Sequence, residues 1–427
     1  MVFFHQNQWN NQQNENYSGG SKFISAKAGK LFNFMNYNFS DKVKDMRPSA
    51  IREIFKSLTD PSVIAFAAGN PSELSFPVEK MKNIAEEIFL NRSTEALQYS
   101  ITEGYPSLRK QITSRLKERF SIGIENDSVI VTTGGQQGID LTAKVLCNEG
   151  DTIICENPSF IGALNAFRSY NTRLAGVDME DDGINITMLE NALKTHKNVK
   201  MIYVIPTFHN PSGITTSLEK RKAILELAKK YDVVILEDNP YGELRFSGEE
   251  IPTIKSLDTD GRVVYCSSFS KILSAGMRVG FLCGPNSIIQ KVVVAKQVND
   301  VHTNIFFQML VSSFIDIYGL DEHISSIRGL YRKKSSLMLS RMDEKFDKKI
   351  KYTRPEGGLF LWVTVPGCDA DEIAKTALGY KVAVVPGSTF SPEQGKKSSS
   401  FRLNYSYPSD RQITDGIDRL APIINNI

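Results

Sequence analysis

The sequence predicts an α/β fold with a second, smaller α+β region at the C-terminal end. Short apolar, β-branched runs recur between positions 129 and 283 and alternate with segments of helical periodicity. Several of these runs end in Gly, Pro, Asn or Asp, and ligands bind at such strand ends in open α/β sheets. From about 287 to 346 the chain is helical in pattern, and short strand-like runs then resume.

Length and composition define the class of protein. The chain has 427 residues, 41% hydrophobic and 23% charged, which is enough for a full core and ordinary for a globular enzyme. A net charge of +3 gives no electrostatic reason to expect nucleic acid as a partner. No apolar run reaches membrane-spanning length, so no membrane partner is expected. The five cysteines form no C-x-x-C pair, which indicates buried thiols in a reducing cytoplasm and no metal site.

The N-terminal stretch differs from the rest. Residues 1–40 are rich in Asn and Gln and lack a signal-peptide core, so we expect a flexible arm. A helix is predicted to begin near Pro48, with Ser49 as its cap. Arg47 and Arg52 accompany this helix, and one of them is a candidate to meet a distal carboxylate of a substrate; the alternative is that both are solvated.

Lys271 is the centre of the candidate site. It lies in the segment SSFSKILSAGMRVG, between two runs that read as buried strands. A lysine held there is partly desolvated, which lowers its pKa and makes its amine a nucleophile toward a carbonyl. Ser268, Ser270 and Arg278 supply the hydroxyls and the guanidinium that hold a phosphate. A reactive amine beside a phosphate cradle suggests pyridoxal phosphate, although a solvated lysine on a surface loop is the alternative.

The pattern Ser-x-Ser-Lys-x6-Arg-x-Gly resembles the cofactor-lysine segment of class I/II aminotransferases, which are fold-type I pyridoxal phosphate enzymes. The resemblance extends over about residues 47 to 420 and is closest to kynurenine/2-aminoadipate-type aminotransferases. It implies a large domain with a mostly parallel mixed sheet flanked by helices, at 76–310, and a smaller α+β domain at 311–427. Residues 41–75 would join the small domain to the mouth of the active site.

Two segments at the mouth carry further similarity. IAFAAGNPSELSFP resembles the family's opening strand and loop and places Gly69 next to the substrate, although a plain turn is the alternative. LQYSITEGYPSLRKQI is similar to the family signature in which a tyrosine, here Tyr99, reaches the cofactor phosphate of the other subunit. The match implies a homodimer with shared active sites, whereas from the residues alone Tyr99 is equally a core aromatic.

The cofactor phosphate and ring have further candidates. A strand at Val129–Thr133 is followed by Gly134-Gly135-Gln136-Gln137-Gly138 and a helix, an arrangement that presents backbone N–H groups to a phosphate. TTGGQQGIDL looks like the family's phosphate loop, with Gly135 and Gln136 at the contact positions. The family also stacks an aromatic on the cofactor ring at the position of Phe160, which is otherwise a core residue.

Polar residues at two strand ends complete the ring contacts. PTFHNPSG matches the family's N-P-x-G loop, which implies that Asn210 donates to the cofactor's phenolate oxygen. In VVILEDNPYGEL, Asp238 follows a strand and would keep the pyridine nitrogen protonated, while Tyr241 would reach the phenolate. The alternative for Asp238 is a helix cap.

Arg402 is the candidate for the substrate carboxylate. It stands in the apolar strand FRLNYS, and a buried guanidinium is costly unless an anion pairs with it. Its planar fork suits a carboxylate, and in the family this arginine holds the α-carboxylate of the amino acid. A structural ion pair is the alternative.

The resemblance therefore implies an aminotransferase that moves an amino group from an L-amino acid to a 2-oxo acid by a ping-pong mechanism through pyridoxamine phosphate. Lys271, Asp238 and Tyr241 would be its catalytic residues, and Arg402, Asn210 and Gly69 would bind substrate. Two alternatives stay open: a pyridoxal phosphate lyase or synthase on the same scaffold, and an aminotransferase-like transcription regulator. The regulator would need a DNA-binding domain, for which residues 1–40 are too short.

Overall fold

The computed structural model describes residues 37–44 and 60–426. The chain divides into two compact units, Met1–Ser40 and Asp41–Ile427. In the first unit the described residues, 37–40, are exposed and form neither helix nor strand. The helix predicted from Pro48, with Arg47 and Arg52, lies outside the described residues.

The second unit begins with short elements and longer helices. The helix Pro106–Phe120 carries Leu108, Ile112 and Leu116 on its buried side, as its periodicity predicts. The strand predicted over Val63–Ala68 is shorter than expected, because only two of its residues pair with another strand. The elements are α1 (Asp41–Lys44), β1 (Ile64–Ala65), α2 (Val78–Asn91), α3 (Ser93–Leu97) and α4 (Pro106–Phe120).

The large sheet comprises eight strands among the described residues. Their apolar side chains are buried on both faces because helices cover the sheet on each side. These strands are β2 (Asp127–Thr132), β3 (Thr152–Asn157), β4 (Arg173–Glu180), β5 (Gly183–Ile184), β6 (Val199–Val204), β7 (Val234–Asp238), β8 (Val263–Ser268) and β9 (Gly280–Pro285).

The order across this sheet is β2-β9-β8-β7-β6-β3-β4-β5. The strands from β8 to β4 run parallel, whereas β9, β2 and β5 pair antiparallel with their neighbours. The predicted mostly parallel mixed sheet is therefore confirmed. Parallel β6, β7 and β8 bring their carboxyl ends to the same edge, and this edge carries the candidate site.

Helices flank the sheet and lead into the C-terminal part. The glycines at 134–138 belong to the first turns of a helix and not to a loop before it, so the predicted helix begins earlier than expected. The helices are α5 (Gly134–Leu146), α6 (Ile161–Arg168), α7 (Ile186–Thr195), α8 (Leu218–Lys230), α9 (Ile254–Leu257), α10 (Asn286–Asp300), α11 (Ile305–Tyr318) and α12 (Asp321–Lys345).

The C-terminal part contains a smaller antiparallel sheet of four strands, in the order β10-β11-β14-β13. A separate parallel pair, β1 with β12, ties the segment at residue 64 to this region. The elements are β10 (Lys351–Tyr352), β11 (Phe360–Thr364), α13 (Ala370–Gly379), β12 (Val382–Ala383), β13 (Val385–Pro386), β14 (Ser400–Asn404) and α14 (Asp410–Asn425), and three 3-10 helices occur at Glu73–Ser75, Gly242–Leu244 and Gly387–Phe390.

The predicted domain boundary at 310/311 falls inside α11, and the division into domains remains a prediction. None of the helices in the described ranges combines the length and the apolar character needed to cross a bilayer.

Candidate active site

Lys271 lies on the connection between β8 and β9, as predicted. Its Nζ donates to the carbonyl oxygen of Gly69 at 2.9 Å, so the predicted mouth loop reaches the lysine from 202 positions away in sequence. Burial, with the positive charges of Arg402 and Arg278, lowers the pKa of Lys271 to about 8. The side chain is therefore partly desolvated, and the surface-loop alternative is wrong.

Two serines and an arginine form a polar cluster next to this lysine. Ser268 Oγ donates to Ser270 Oγ at 2.7 Å, and Arg278 Nη1 donates to Ser270 Oγ at 3.3 Å. The backbone of Arg278 has φ of 55°, in the left-handed region that non-glycine residues seldom adopt. Arg278 is exposed, whereas Ser268 and Ser270 are buried. The cluster therefore combines an exposed cation with two buried hydroxyl groups.

The start of α5 lies against this cluster. A Cβ on Gly280 would be 2.6 Å from the carbonyl carbon of Gly134, and a Cβ on Gly135 would be 3.9 Å from Cβ of Ser268. Only glycine at 280 permits this approach, because real Cβ atoms do not come so close to backbone. The free N–H groups and positive end of α5 therefore point to the same place as Arg278.

Phe160 and Gln136 meet at the start of α6. Phe160 is half-buried and immediately precedes α6, and its ring lies against Gly162. The Gln136 side chain donates to the carbonyl oxygen of Gly162 at 2.9 Å. Gly162 therefore lies between the ring of Phe160 and the side chain of Gln136, in the first turn of α5.

Asp238 ends β7 and is buried. Its Oδ2 accepts a hydrogen bond from the Tyr203 hydroxyl at 2.8 Å. Burial, with the negative charge of Glu156, raises the pKa of Asp238 to about 7, although the Tyr203 hydrogen bond acts in the opposite direction. A buried carboxylate at a strand end, with one hydrogen-bond donor already in place, can pair with a protonated nitrogen.

The helix-cap role considered for Asp238 belongs to its neighbour. The Glu237 carboxylate accepts from the backbone N–H groups of Ile254 and Lys255, in the first turn of α9, at 3.0 and 2.7 Å. Because successive side chains of a strand point to opposite faces, Glu237 serves the helix layer and Asp238 faces the other way. The cap alternative for Asp238 is therefore wrong.

Asn210, Tyr241 and Arg402 form one buried group. Asn210 Nδ2 donates to the Tyr241 hydroxyl at 3.4 Å, and Arg402 Nη1 donates to Asn210 Oδ1 at 2.8 Å. The ring of Tyr241 packs edge-on against Phe360, with 5.7 Å between centroids. Burial raises the pKa of Tyr241, so its hydroxyl keeps its proton and remains a donor.

Arg402 stands on β14 with no acidic partner among the described residues. Besides Asn210 it donates to the carbonyl oxygen of Ala67 at 2.9 Å, and its buried Nε has no partner. The guanidinium lies over the rings of Phe360 and Phe390, at 4.2 and 5.0 Å. Burial lowers its pKa to about 10, which leaves it charged at neutral pH. The ion-pair alternative is wrong.

Tyr99 lies apart from this group. Its side chain is 81% exposed, and its ring lies perpendicular to that of His302, with 5.9 Å between centroids. The alternative that Tyr99 is a core aromatic is therefore wrong.

Sequence reasoning missed the polar side chains beneath Asp238. Tyr203 on β6 and Glu156 on β3 are buried, and Glu156 Oε2 accepts from the Ile205 N–H at 2.8 Å and lies 3.2 Å from Nε2 of His209. A hydroxyl inside an otherwise aliphatic strand was the available signal, since a buried hydroxyl needs a partner. His209 is a neighbour of the site, as expected. Among residues 37–44 and 60–426, His, Cys, Asp and Glu side chains form no group suited to a metal ion.

The comparisons with known proteins identify the family of the chain. Residues 61–420 match the family model described as "Aminotransferase class I and II". The chain is 40% identical to "Aromatic-amino-acid aminotransferase 1" of Thermococcus litoralis, over 90% of this chain and 94% of that protein.

Two solved structures are similar over nearly their whole length. The kynurenine aminotransferase of Pyrococcus horikoshii, in complex with PMP, has a TM-score of 0.88 and 39% identity and covers 91% of this chain and 97% of its own. The alpha-aminoadipate aminotransferase of Thermus thermophilus, complexed with N-(5'-phosphopyridoxyl)-L-leucine, has a TM-score of 0.84 and 35% identity, with the same coverage of 91% and 97%. The predicted fold type I is confirmed.

Proposed function

This chain belongs to the aminotransferase class I and II family, and on that premise we propose which of its residues hold the cofactor and which substrates it takes. Its activity is pyridoxal-phosphate-dependent transamination, the transfer of an amino group from an L-amino acid to a 2-oxo acid. The relatives named above are aminotransferases, which favours transamination over elimination and over transcriptional regulation.

The side chains at the sheet edge fit this cofactor. A phosphate would meet the exposed guanidinium of Arg278, the hydroxyls of Ser268 and Ser270, and the N–H groups of Gly135 and Gln136. The partly desolvated amine of Lys271 is the carbonyl partner. Phe160 offers a flat ring, and Asp238 offers a buried carboxylate to a ring nitrogen. Asn210 and Tyr241 would contact the phenolate oxygen.

One observation carries the assignment of the substrate carboxylate. Arg402 is buried and charged, has an orphan Nε and has no acidic partner in the described part of the chain. A buried guanidinium in this state is stabilised by an anion from outside the protein. We assign that anion as the α-carboxylate, with Asn210 fixing the plane of the guanidinium.

The residues then have distinct chemical roles. When bound, pyridoxal phosphate supplies a carbonyl that takes the amino group and an electron-poor ring that acidifies the α-carbon. The Lys271 amine removes the proton from the α-carbon and then delivers it to the cofactor carbon that has received the amino group. It can take up that proton because its lowered pKa leaves part of the amine neutral at neutral pH. Asp238 holds a proton on the ring nitrogen, and Tyr241 and Asn210 hold the charge of the phenolate oxygen.

For the donor we propose aromatic amino acids and 2-aminoadipate-type amino acids. The named relatives act on aromatic amino acids, kynurenine and alpha-aminoadipate. The rings of Phe360 and Phe390 beside Arg402 suit an apolar or aromatic side chain. A contact of Arg47 or Arg52 with a distal carboxylate stays a prediction, with solvated arginines as the alternative.

We also propose a homodimer with shared active sites. Leu90, Leu97 and Tyr99 follow one another along α2, α3 and the next turn, and they are 76%, 74% and 81% exposed. Apolar side chains exposed to that degree in one short stretch favour contact with a second copy. Tyr99 would then reach the cofactor phosphate of its partner. Light scattering at several protein concentrations tests the dimer, and a monomer that retains full activity would refute it.

The proposed location is the cytoplasm. Its support is the five cysteines, all with free thiols, of which Cys155, Cys266 and Cys283 are buried. Burial raises the pKa of these three thiols, so they are unreactive core residues.

The experiment that tests the proposed function is a titration of the cofactor-loaded enzyme with single amino acids, without any 2-oxo acid. The absorption of the bound cofactor should change to that of pyridoxamine phosphate, with one equivalent of 2-oxo acid formed. A panel of aromatic amino acids, 2-aminoadipate, aspartate and alanine would identify the donor class. Release of ammonia in place of this stoichiometry would mean that the enzyme is a lyase.

A further inference from the structure

Tyr203 makes a contact that no role assigned so far explains. It lies on β6, fully buried, and its hydroxyl donates to Oδ2 of Asp238 at 2.8 Å across the parallel pair of β6 and β7. Its ring packs edge-on against Phe167 on the helix side, with 5.3 Å between centroids. In the part of the chain that the structure describes, this is the one hydrogen bond made to the Asp238 side chain.

We propose that Tyr203 is a positioning residue that orients the Asp238 carboxylate and keeps its proton affinity low enough for the cofactor's ring nitrogen to hold the proton. This inference rests on the proposed contact between Asp238 and that nitrogen.

The hydrogen-bond inventory supports the orienting role. An ionised carboxylate only accepts, and a tyrosine hydroxyl has a single proton to donate. Tyr203 therefore occupies Oδ2 and leaves Oδ1 without a described partner. Because Tyr203 is itself locked by burial and by Phe167, the carboxylate has one favoured plane. A phenylalanine at 203 would keep the ring and its packing, but the Asp238 carboxylate would no longer be held in one orientation.

The charges around Asp238 give the second role. The titratable groups that interact electrostatically with Asp238 are Glu156 on β3, Cys266 on β8, Tyr241 in the turn after β7 and Tyr203 on β6. Burial and Glu156 both raise the pKa of Asp238, and the Tyr203 hydrogen bond is the contact that lowers it. Without that hydroxyl the carboxylate becomes more basic, and a proton shared with a ring nitrogen moves toward the carboxylate.

Glu156 is held firmly enough to exert this effect. Its Oε2 accepts from the Ile205 N–H at 2.8 Å and lies 3.2 Å from Nε2 of His209, whose Nδ1 meets Ser212 Oγ at 2.8 Å. These contacts fix a buried acidic group near Asp238. Tyr203 and Glu156 therefore act on the same carboxylate in opposite directions.

The test is the ¹⁵N chemical shift of pyridoxal phosphate labelled at its ring nitrogen and bound to the enzyme. In Tyr203→Phe the signal should move toward that of unprotonated pyridine at unchanged pH, because a carboxylate without its hydrogen-bond donor holds a larger share of the proton. The matched control is Tyr265→Phe, since Tyr265 is a buried tyrosine on β8 whose hydroxyl meets Asn239 and not Asp238. It should leave the shift unchanged.

Glu156→Gln provides a variant that does not depend on the tyrosine. Removal of its charge should leave the ring nitrogen protonated, as in the wild type, and the double variant with Tyr203→Phe should regain part of the wild-type shift. An unaltered shift in Tyr203→Phe, with a protonated ring in the wild type, would overturn this inference alone. A ring nitrogen without a proton in the wild-type enzyme would overturn the proposed role of Asp238 and the inference with it.

Discussion

Arg402 and Asn210 are joined by a 2.8 Å hydrogen bond from Nη1 to Oδ1, although they are 192 positions apart in sequence. The bond links β14 of the small sheet to the loop after β6 of the large sheet. Asn210 also donates to Tyr241, so one amide connects the proposed carboxylate site to the proposed phenolate site. The proposed substrate and cofactor contacts therefore depend on the same side chain.

The first prediction concerns the fork of Arg402. Arg402→Lys keeps the charge but removes the planar pair of donors, so a carboxylate would lose a bidentate contact worth about 1.5–3 kcal/mol. We expect kcat/KM for amino acids to fall by about 10-fold to 100-fold, mainly through KM. Half-reactions with an amino acid and with an amine that lacks the carboxylate are compared. An equal loss for both compounds would show that Arg402 does not bind the carboxylate.

The second prediction concerns Lys271. Lys271→Ala should abolish transamination, with turnover reduced by about 10²-fold or more, because the group that moves the α-proton is removed. Lys291→Ala changes an exposed lysine on α10 and serves as the control. Borohydride reduction followed by peptide mass spectrometry should find the cofactor on Lys271 in the wild type. Near wild-type turnover in the alanine variant would refute the assignment.

The third prediction concerns pH and Asp238 in the cofactor-free protein. The folded carboxyl has a pKa raised to about 7, and the ordinary value in an unfolded chain is 3.8. Between these values the folded state binds more protons than the unfolded state, so this group makes the protein less stable as pH rises through that window.

Asp238→Asn removes the titration. The free energy of unfolding of wild type minus that of the variant should therefore decrease from about pH 5 to about pH 8, measured by chemical denaturation at each pH. A difference that stays constant, or increases with pH, would contradict a raised pKa at Asp238.

Much of the candidate site follows from short sequence segments because each lies at the end of one strand. Asp238 ends β7, and Lys271 and Asn210 lie on the loops that follow β8 and β6, and parallel strands bring such ends together. Arg402 was predictable for another reason, since an arginine in an apolar strand needs an anion. The sequence predicted these residues without any knowledge of distances.

The rest of the site depends on which strands are neighbours. Tyr203 meets Asp238 only because β6 and β7 are adjacent, and the charge of Glu156 acts on Asp238 because β3 lies next to β6. No local pattern specifies that order. The first turn of α5 was misassigned for a similar reason: the glycines favour a loop locally, and helix formation depends on the packing of α5 against β8 and β9.

The last prediction concerns the close approach of Gly280 to the start of α5. In Gly280→Ala the new Cβ would lie 2.6 Å from the carbonyl carbon of Gly134 and 2.7 Å from the N of Gly135, so backbone must move. Such overpacking costs about 1–3 kcal/mol of unfolding free energy. It also displaces the N–H groups proposed to hold the phosphate, so the dissociation constant of pyridoxal phosphate should rise with the loss of stability.

Gly329→Ala is the control for this variant, because a Cβ there meets nothing within 4 Å. In a helix interior that change should be neutral or stabilising. Denaturation and equilibrium dialysis measure the stability and the cofactor affinity separately. Unchanged cofactor affinity in a destabilised Gly280→Ala protein would mean that the start of α5 does not hold the phosphate.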